Sequence, residues 1–159
     1  MIQAITESSF TAYINTEANR IDTSVNSSHI RYLVKFTNDL DGSVQYAYST
    51  IHLVYDRYTK LHFNYNTTPD VYTGDTKLIP SGYYKYEVYE VSWTGAVAIS
   101  AGNAPVTEDD VLPIGSTHGV VQGLVAIGKL NMTDKSGTEQ VQYTQHTEPS
   151  GTNYIWYGQ

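Results

Sequence analysis

The chain has no cysteine in its 159 residues. That excludes disulfides, cysteine-ligated zinc and a thiol nucleophile, so the fold must rest on its hydrophobic core. Positive charge is scarce: nine Lys and Arg against sixteen Asp and Glu leave a net charge of -7. The basic residues are scattered rather than clustered, which argues against a phosphate-tracking surface and against nucleic acid as a partner. No apolar run approaches the roughly 20 residues of a transmembrane helix. The start, MIQAITESSF, carries neither the basic nor the apolar region of a signal peptide. The expectation is a protein made in, and staying in, the cytoplasm of its producer, with no membrane partner. A helical stripe sustained over three turns is also lacking.

What is abundant is tyrosine, fifteen in all, a residue suited to strands and to interfaces where one end of the ring is buried and the other hydrated. Period-2 alternation dominates, and the chain reads as one all-β domain over 1–159, with its core at about 10–132. Strands are expected at Phe10 to Asn15, Ile30 to Asn38, Ser43 to Ser49, Lys60 to Asn66 and Val120 to Met132. "NDLDGS" supplies an Asp-Gly hairpin turn between the second and third of these. Val120 to Met132 contains two glycines that suggest bulges. Between Thr94 and Gly119, Gly-Asn, Pro105, "TEDD" and Pro113 break any strand pattern. That segment is expected to be a long inserted loop whose small residues bury little against their own sheet and which a partner orders.

Chemistry-bearing constellations are weak. His29, His52, His62, His118 and His146 are dispersed without metal-ligand spacing. No Gly-x-Ser-x-Gly elbow or local Ser, His and carboxylate grouping occurs. Asn38, Asp39 and Asp41 could ligate calcium, but the EF-hand register puts Thr37 at its first position and Tyr48 at its twelfth, so an ordinary turn is favoured. Glu108 to Asp110 reads as a solvated acidic face or a helix first turn. Asp75 and Glu87 are candidates for a hydrolytic carboxylate pair, against the usual role of such groups in solubility. Asn26, Asn66 and Asn131 begin glycosylation patterns that coincide with an Asn- and Thr-rich sequence. The expectation is no enzyme, no metal and no cofactor.

"LIPSGYYKYEVYEVSW", Leu78 to Trp93, is a turn followed by strict alternation. Tyr84, Tyr86 and Val88 face one way, and Tyr83, Lys85, Glu87 and Tyr89 the other. Together with Tyr32, Val34 and Phe36, the first set is expected on facing inner surfaces of two sheets. The turn and spacing resemble immunoglobulin-like sandwiches, in which a tyrosine just past the E to F turn packs inward and its hydroxyl bonds to backbone upstream. Tyr84 is the candidate for that corner. The Cys-Trp-Cys framework of antibody domains is absent, and an unrelated β-meander stays open. The resemblance implies an Ig-like antiparallel β-sandwich with a long inserted loop and a C-terminal β-arm.

A looser resemblance, over roughly 30–93 and 120–159, joins "RYLVKFTND", "YEVYEVSW" and "GLVAIGKLNM" before an aromatic tail. That order is similar to small β-rich virion proteins of tailed bacteriophages. It implies a structural part of the particle, such as a head decoration, auxiliary capsid or head-tail ring protein. Such a protein is assembled in the host bacterial cytoplasm, localised to the virion, and partnered by copies of itself and by capsid, portal or neck proteins. The interface candidates are Tyr83, Tyr89, Trp93, Tyr154, Ile155, Trp156 and Tyr157. The last four end the segment Glu139 to Gln159, which has two acidic residues and no Lys or Arg. It reads as an interaction arm or a closing hairpin around Pro149-Ser150-Gly151. The alternative function is a carbohydrate-binding sandwich with Tyr83, Tyr89 and Trp93 as a flat stacking platform.

Overall fold

The computed structural model describes residues 1–136. The expected arm at 139–159, with Tyr154, Ile155, Trp156 and Tyr157, lies outside the described residues. The fold is an all-β sandwich of two sheets. One has the order β1 (Ile2–Ile5), β9 (Val120–Thr133), β8 (Gly82–Ser92), β3 (Ile30–Asn38), β4 (Val44–Tyr48). The other has β2 (Phe10–Ile14), β6 (Thr59–Tyr65), β5 (Ile51–Val54), with the two-residue β7 (Asp75–Thr76) also on β6. The sheets are mixed rather than purely antiparallel, because β1 runs parallel to β9 and β7 parallel to β6. Both parallel strands are short, four residues in β1 and two in β7.

The β3–β4 hairpin forms in the expected place. Asn38 Oδ1 accepts the Leu40 N–H at 2.7 Å and Asp41 Oδ1 that of Ser43 at 2.8 Å. Their oxygens therefore satisfy the turn's own backbone, with Gly42 at a φ of 71°, a conformation that favours glycine.

β3 and β8 are neighbours in one sheet, not members of opposing sheets as expected, and their ladder pairs Tyr32 with Glu90, Val34 with Val88 and Phe36 with Tyr86. Directly opposite residues share a face, so all of these point toward the second sheet. That sheet answers with Phe10, Ala12, Ile14, Leu61 and Phe63, all buried. The chain's three phenylalanines meet at the centre: Phe63 lies 5.3 Å from both Phe10 and Phe36, and Phe10 lies 6.0 Å from Phe36. Burying each such ring contributes about 2 kcal/mol. Tyr84 is buried, and its hydroxyl donates to the Pro80 carbonyl at 2.8 Å. A large ring thereby enters the core with its polar atom satisfied.

β9 carries the expected irregularities. Its register against β8 slips between Val88 and Tyr89 and again between Glu90 and Val91, and Gly123 lies between the two bulges. Gly128 has a different role: it sits opposite Tyr86, and a Cβ there would collide with the tyrosine ring.

The segment from 94 to 119 overturns the expectation of a loop ordered only by a partner. It folds onto the outer face of β3, β4 and β8 and covers a second apolar cluster. Leu33, Tyr48, Val91, Trp93 and Ala104 are buried there, with Val97 and Ile99 packed against them. The Tyr48 hydroxyl donates to the Pro105 carbonyl at 2.8 Å and the Gly119 N–H to the Asn103 carbonyl at 2.7 Å. Glu108 receives both the Lys35 ammonium and the Tyr46 hydroxyl from the sheet below. Asp110 accepts the N–H groups of Val106 at 2.7 Å and Thr107 at 3.1 Å, and these bonds, Val106's first, hold its carboxyl below the usual range. Small residues were misleading because the sheet beneath supplies the large ones.

Replacing Tyr84 by Phe should cost about 1 kcal/mol through the lost hydroxyl bond. Replacement by Ala should cost about 3 kcal/mol or more through the cavity. Denaturant melts of both variants measure this, and a Phe variant as stable as wild type would mean the Pro80 bond carries nothing.

The Glu108 clasp predicts a pH window. Burial alone would raise the Glu108 pKa, but its bonds to Lys35 and Tyr46 outweigh that and lower it. The bond to Glu108 in turn raises Lys35 above its ordinary value. The contribution of the lowered acid is complete above its ordinary carboxylate range and fades as pH falls through the lowered value. That of the raised base is complete below the ordinary lysine range and fades above it. Protease should therefore spare 94–119 in the isolated protein at neutral pH, and Glu108→Gln should speed cleavage there about tenfold.

Candidate functional site

Of the three interface candidates within the described residues, only Tyr83 is open, at 55 % exposure. Tyr89 is partly buried against the second cluster. Trp93 has 0 % exposure, so the platform of Tyr83, Tyr89 and Trp93 does not form. Alternation placed these residues correctly on the outer face of β8, but the segment 94–119 lies over that face. Gly119 makes room for the indole, since a Cβ there would stand 2.6 Å from Trp93 Cζ2.

The exposed aromatic surface lies on the other sheet. Across its strands Tyr13 pairs with Lys60, which pairs with Leu53, and Thr11 pairs with His62, which pairs with Ile51. These residues share the outer face. Tyr13 is 59 % exposed and Tyr55 45 %. The β5–β6 hairpin closes with the Tyr55 N–H on the Tyr58 carbonyl at 2.9 Å, which sets Tyr55 and Tyr58 opposite each other. Their ring centroids are 4.8 Å apart, and Tyr13 meets Tyr58 edge-on at 5.3 Å with an interplanar angle of 79°. Ile51 and Leu53 extend this surface along β5. β5 is an edge strand with no charged side chain, and charge is the usual device that discourages edge pairing.

Behind that edge lies His52, turned inward. Its ring meets Tyr32 edge-on at 5.3 Å, and Nε2 is buried without a hydrogen-bond partner among the described residues. Burial, with a smaller contribution from the Arg31 charge, pushes its pKa down to about 4.

Period-2 alternation alone does not single out Tyr13, Tyr55 and Tyr58 or the strand β5. The signal was present in Ile51, Leu53 and Tyr55, which alternate ahead of an Asp-Arg turn, but the run is short and its apolar residues face outward. The other acidic candidates are dispersed: Asp75 bonds to Asn66 and Thr73, whereas Glu87 pairs with Lys85. No group of three His, Cys, Asp or Glu suited to a metal occurs among the described residues. Comparison with protein-family models, with curated proteins and with solved structures finds no match for this chain.

A histidine whose folded pKa is lowered resists protonation in the fold, so the unfolded chain takes the proton first. Stability is complete above the ordinary pKa near 6.5 and declines until about 4, by up to about 3 kcal/mol. His52→Phe keeps a ring against Tyr32 and should flatten that decline. Denaturant midpoints at pH 7 and pH 4.5 for both proteins measure it, and parallel declines would show that His52 does not titrate in this way.

Proposed function

We propose that the chain is an immunoglobulin-like structural module of a tailed-bacteriophage particle, acting through protein contacts. The order β1-β9-β8-β3-β4 against β2-β6-β5 supports the first part. Variable-type immunoglobulin sandwiches set strands G, F, C and C′ in one sheet and B, E and D in the other. The Tyr84 hydroxyl on Pro80, four residues upstream at the entry to β8, matches the tyrosine corner of such domains.

The observation that carries the second part is the surface of Tyr13, Tyr55 and Tyr58 continuous with the uncharged β5 edge. Exposed tyrosines beside aliphatic side chains and an open strand edge are what a protein partner buries. The resemblance of the β3, β8 and β9 segments to virion proteins directs that contact to a particle. The carbohydrate reading is less well supported, because its platform is dismantled by the burial of Trp93 and the 79° angle between Tyr13 and Tyr58 gives no flat substitute.

Gradient-purified particles from the producing culture should contain the chain when probed with an antibody raised against it. The paired substitution Tyr13→Ser and Tyr58→Ser should leave the purified protein within about 1.5 kcal/mol of wild type. It should lower incorporation into particles at least tenfold, as loss of interface anchors does. A chain found only in the soluble fraction would overturn the particle role. Undiminished incorporation of the double variant would place the contact elsewhere.

A further inference from the structure

Among the described residues, one side of the sandwich is not closed. β1 pairs with β9 only from Leu130 to Thr133. Upstream of that, the outer edge of β9 from Val120 to Lys129 has no strand beside it among the described residues. Next to this edge a cleft of about 650 Å³ opens between β9 and β2, lined by Tyr13, Ile14, Asn15, Tyr86, Leu124 and Ile127 among others, none of them charged. Leu124 and Ile127 stand exposed at its rim, and Asn19 Nδ2 reaches across to the Val125 carbonyl at 2.9 Å. Tyr13 joins the cleft to the tyrosine surface described above. An unpaired ladder edge beside an uncharged cleft has the two parts of a strand-addition site: backbone groups for affinity, and room for alternate side chains.

We propose that this opening receives the C-terminal segment, Glu139 to Gln159, of a second copy of the chain as an added strand along β9. Its composition suits an uncharged cleft, because it contains no Lys or Arg, and its acidic residues, Glu139 and Glu148, precede the aromatic end Tyr154, Ile155, Trp156 and Tyr157. In an added strand, alternation puts Tyr154 and Trp156 on one side and Ile155 and Tyr157 on the other. One pair faces the cleft and the other solvent or the next subunit.

The way the chain leaves β9 favours a neighbour's segment over its own. The Thr6 N–H donates to the Thr133 carbonyl at 2.9 Å, and the Lys135 N–H to Thr6 Oγ1 at 3.1 Å. The exit is thus fastened beside β1, at the end of β9 away from the open edge. A chain turning back from there meets the outer edge of β1 first, whereas a segment from another copy meets no such obstacle. Repeated head to tail, the contact builds rings or filaments. Its biological setting rests on the proposed particle role, but the contact itself is testable on the purified chain.

Because the chain has no cysteine, single introduced thiols report unambiguously. Ile127→Cys on one tagged population and Tyr154→Cys on another, joined by a short bismaleimide, should give a crosslinked heterodimer. Asp41→Cys, at the β3–β4 turn, should give none with Tyr154→Cys. In sedimentation, Ile127→Asp and truncation after Ser136 should each weaken self-association at least tenfold, and mixing the two should restore one-to-one pairs. Absence of the heterodimer overturns the proposal, as does a chain carrying both cysteines that crosslinks only within itself. Wild-type association of either variant also overturns it. So does an unfolded truncation product, since the segment would then belong to the chain's own core. Particle incorporation can fail while the crosslink succeeds, so the two proposals fail separately.

Discussion

The second half of β8 has apolar or buried side chains on both faces, and most of the architecture is a response to that constraint. Val88 and Glu90 point into the sandwich, while Tyr89 and Val91, and Trp93 just past the strand's end, point the other way. A two-sheet sandwich covers only one face of each sheet, and leaving Val91 and Trp93 in water would forfeit several kcal/mol of burial. A third layer is therefore required, and the segment 94–119 provides it. Its small residues approach the sheet closely, and Gly119 leaves space for the indole that a side chain would fill. Its polar groups are attached at the sheet through Glu108 and at the Tyr48 hydroxyl.

The same strand places a carboxylate where only a fully bonded one is tolerable. Glu90 is buried on the inner face, and its two oxygens accept the backbone N–H groups of Ile21 at 2.9 Å and Asp22 at 2.7 Å. Charge-assisted bonds of this kind offset much of the desolvation of the carboxylate. They also fasten the polar connection between β2 and β3 across the end of the sandwich. The buried Thr16 and Thr59 hydroxyls, 2.7 Å apart, join that connection to β6. An Asn- and Ser-rich stretch with little apolar material of its own is thus held by polar groups supplied from the strands.

How far the fold was legible follows from what alternation can report. β3 emerges with its observed limits, and β8, β9 and the β3–β4 hairpin are placed within a few residues, because period-2 patterning sorts side chains by face. It does not say whether a face is covered. Alternation therefore puts Trp93 on the right side of β8 but not in its buried environment, and puts Tyr32 and Tyr84 in the core without showing that they share one sheet. Sheet membership depends on pairings between residues far apart in sequence, about which local periodicity is silent. β1 and β7 escaped notice because short parallel strands have no hairpin turn to announce them. The Tyr84 hydroxyl bond was legible because it is local, spanning four residues with a turn between.

The surface left after these layers form is asymmetric, and the asymmetry bears on function. Four of the lysines are engaged in ion pairs: Lys35, Lys85 and Lys129 on the larger sheet, and Lys135 with Glu7 just beyond its end. Among the described residues, the open edge at β5 is left without the lysines that usually keep strand edges from pairing, and the one lysine of the open β9 edge, Lys129, is drawn to Asp39. With nine basic residues in the whole chain, that device is scarce, and a net charge of -7 acts only as a general repulsion, screened within about 10 Å in moderate salt. General repulsion slows random encounters but does not block a specific pairing in which apolar contact is made at short range. The charge distribution thus favours specific association at such an edge over indiscriminate aggregation.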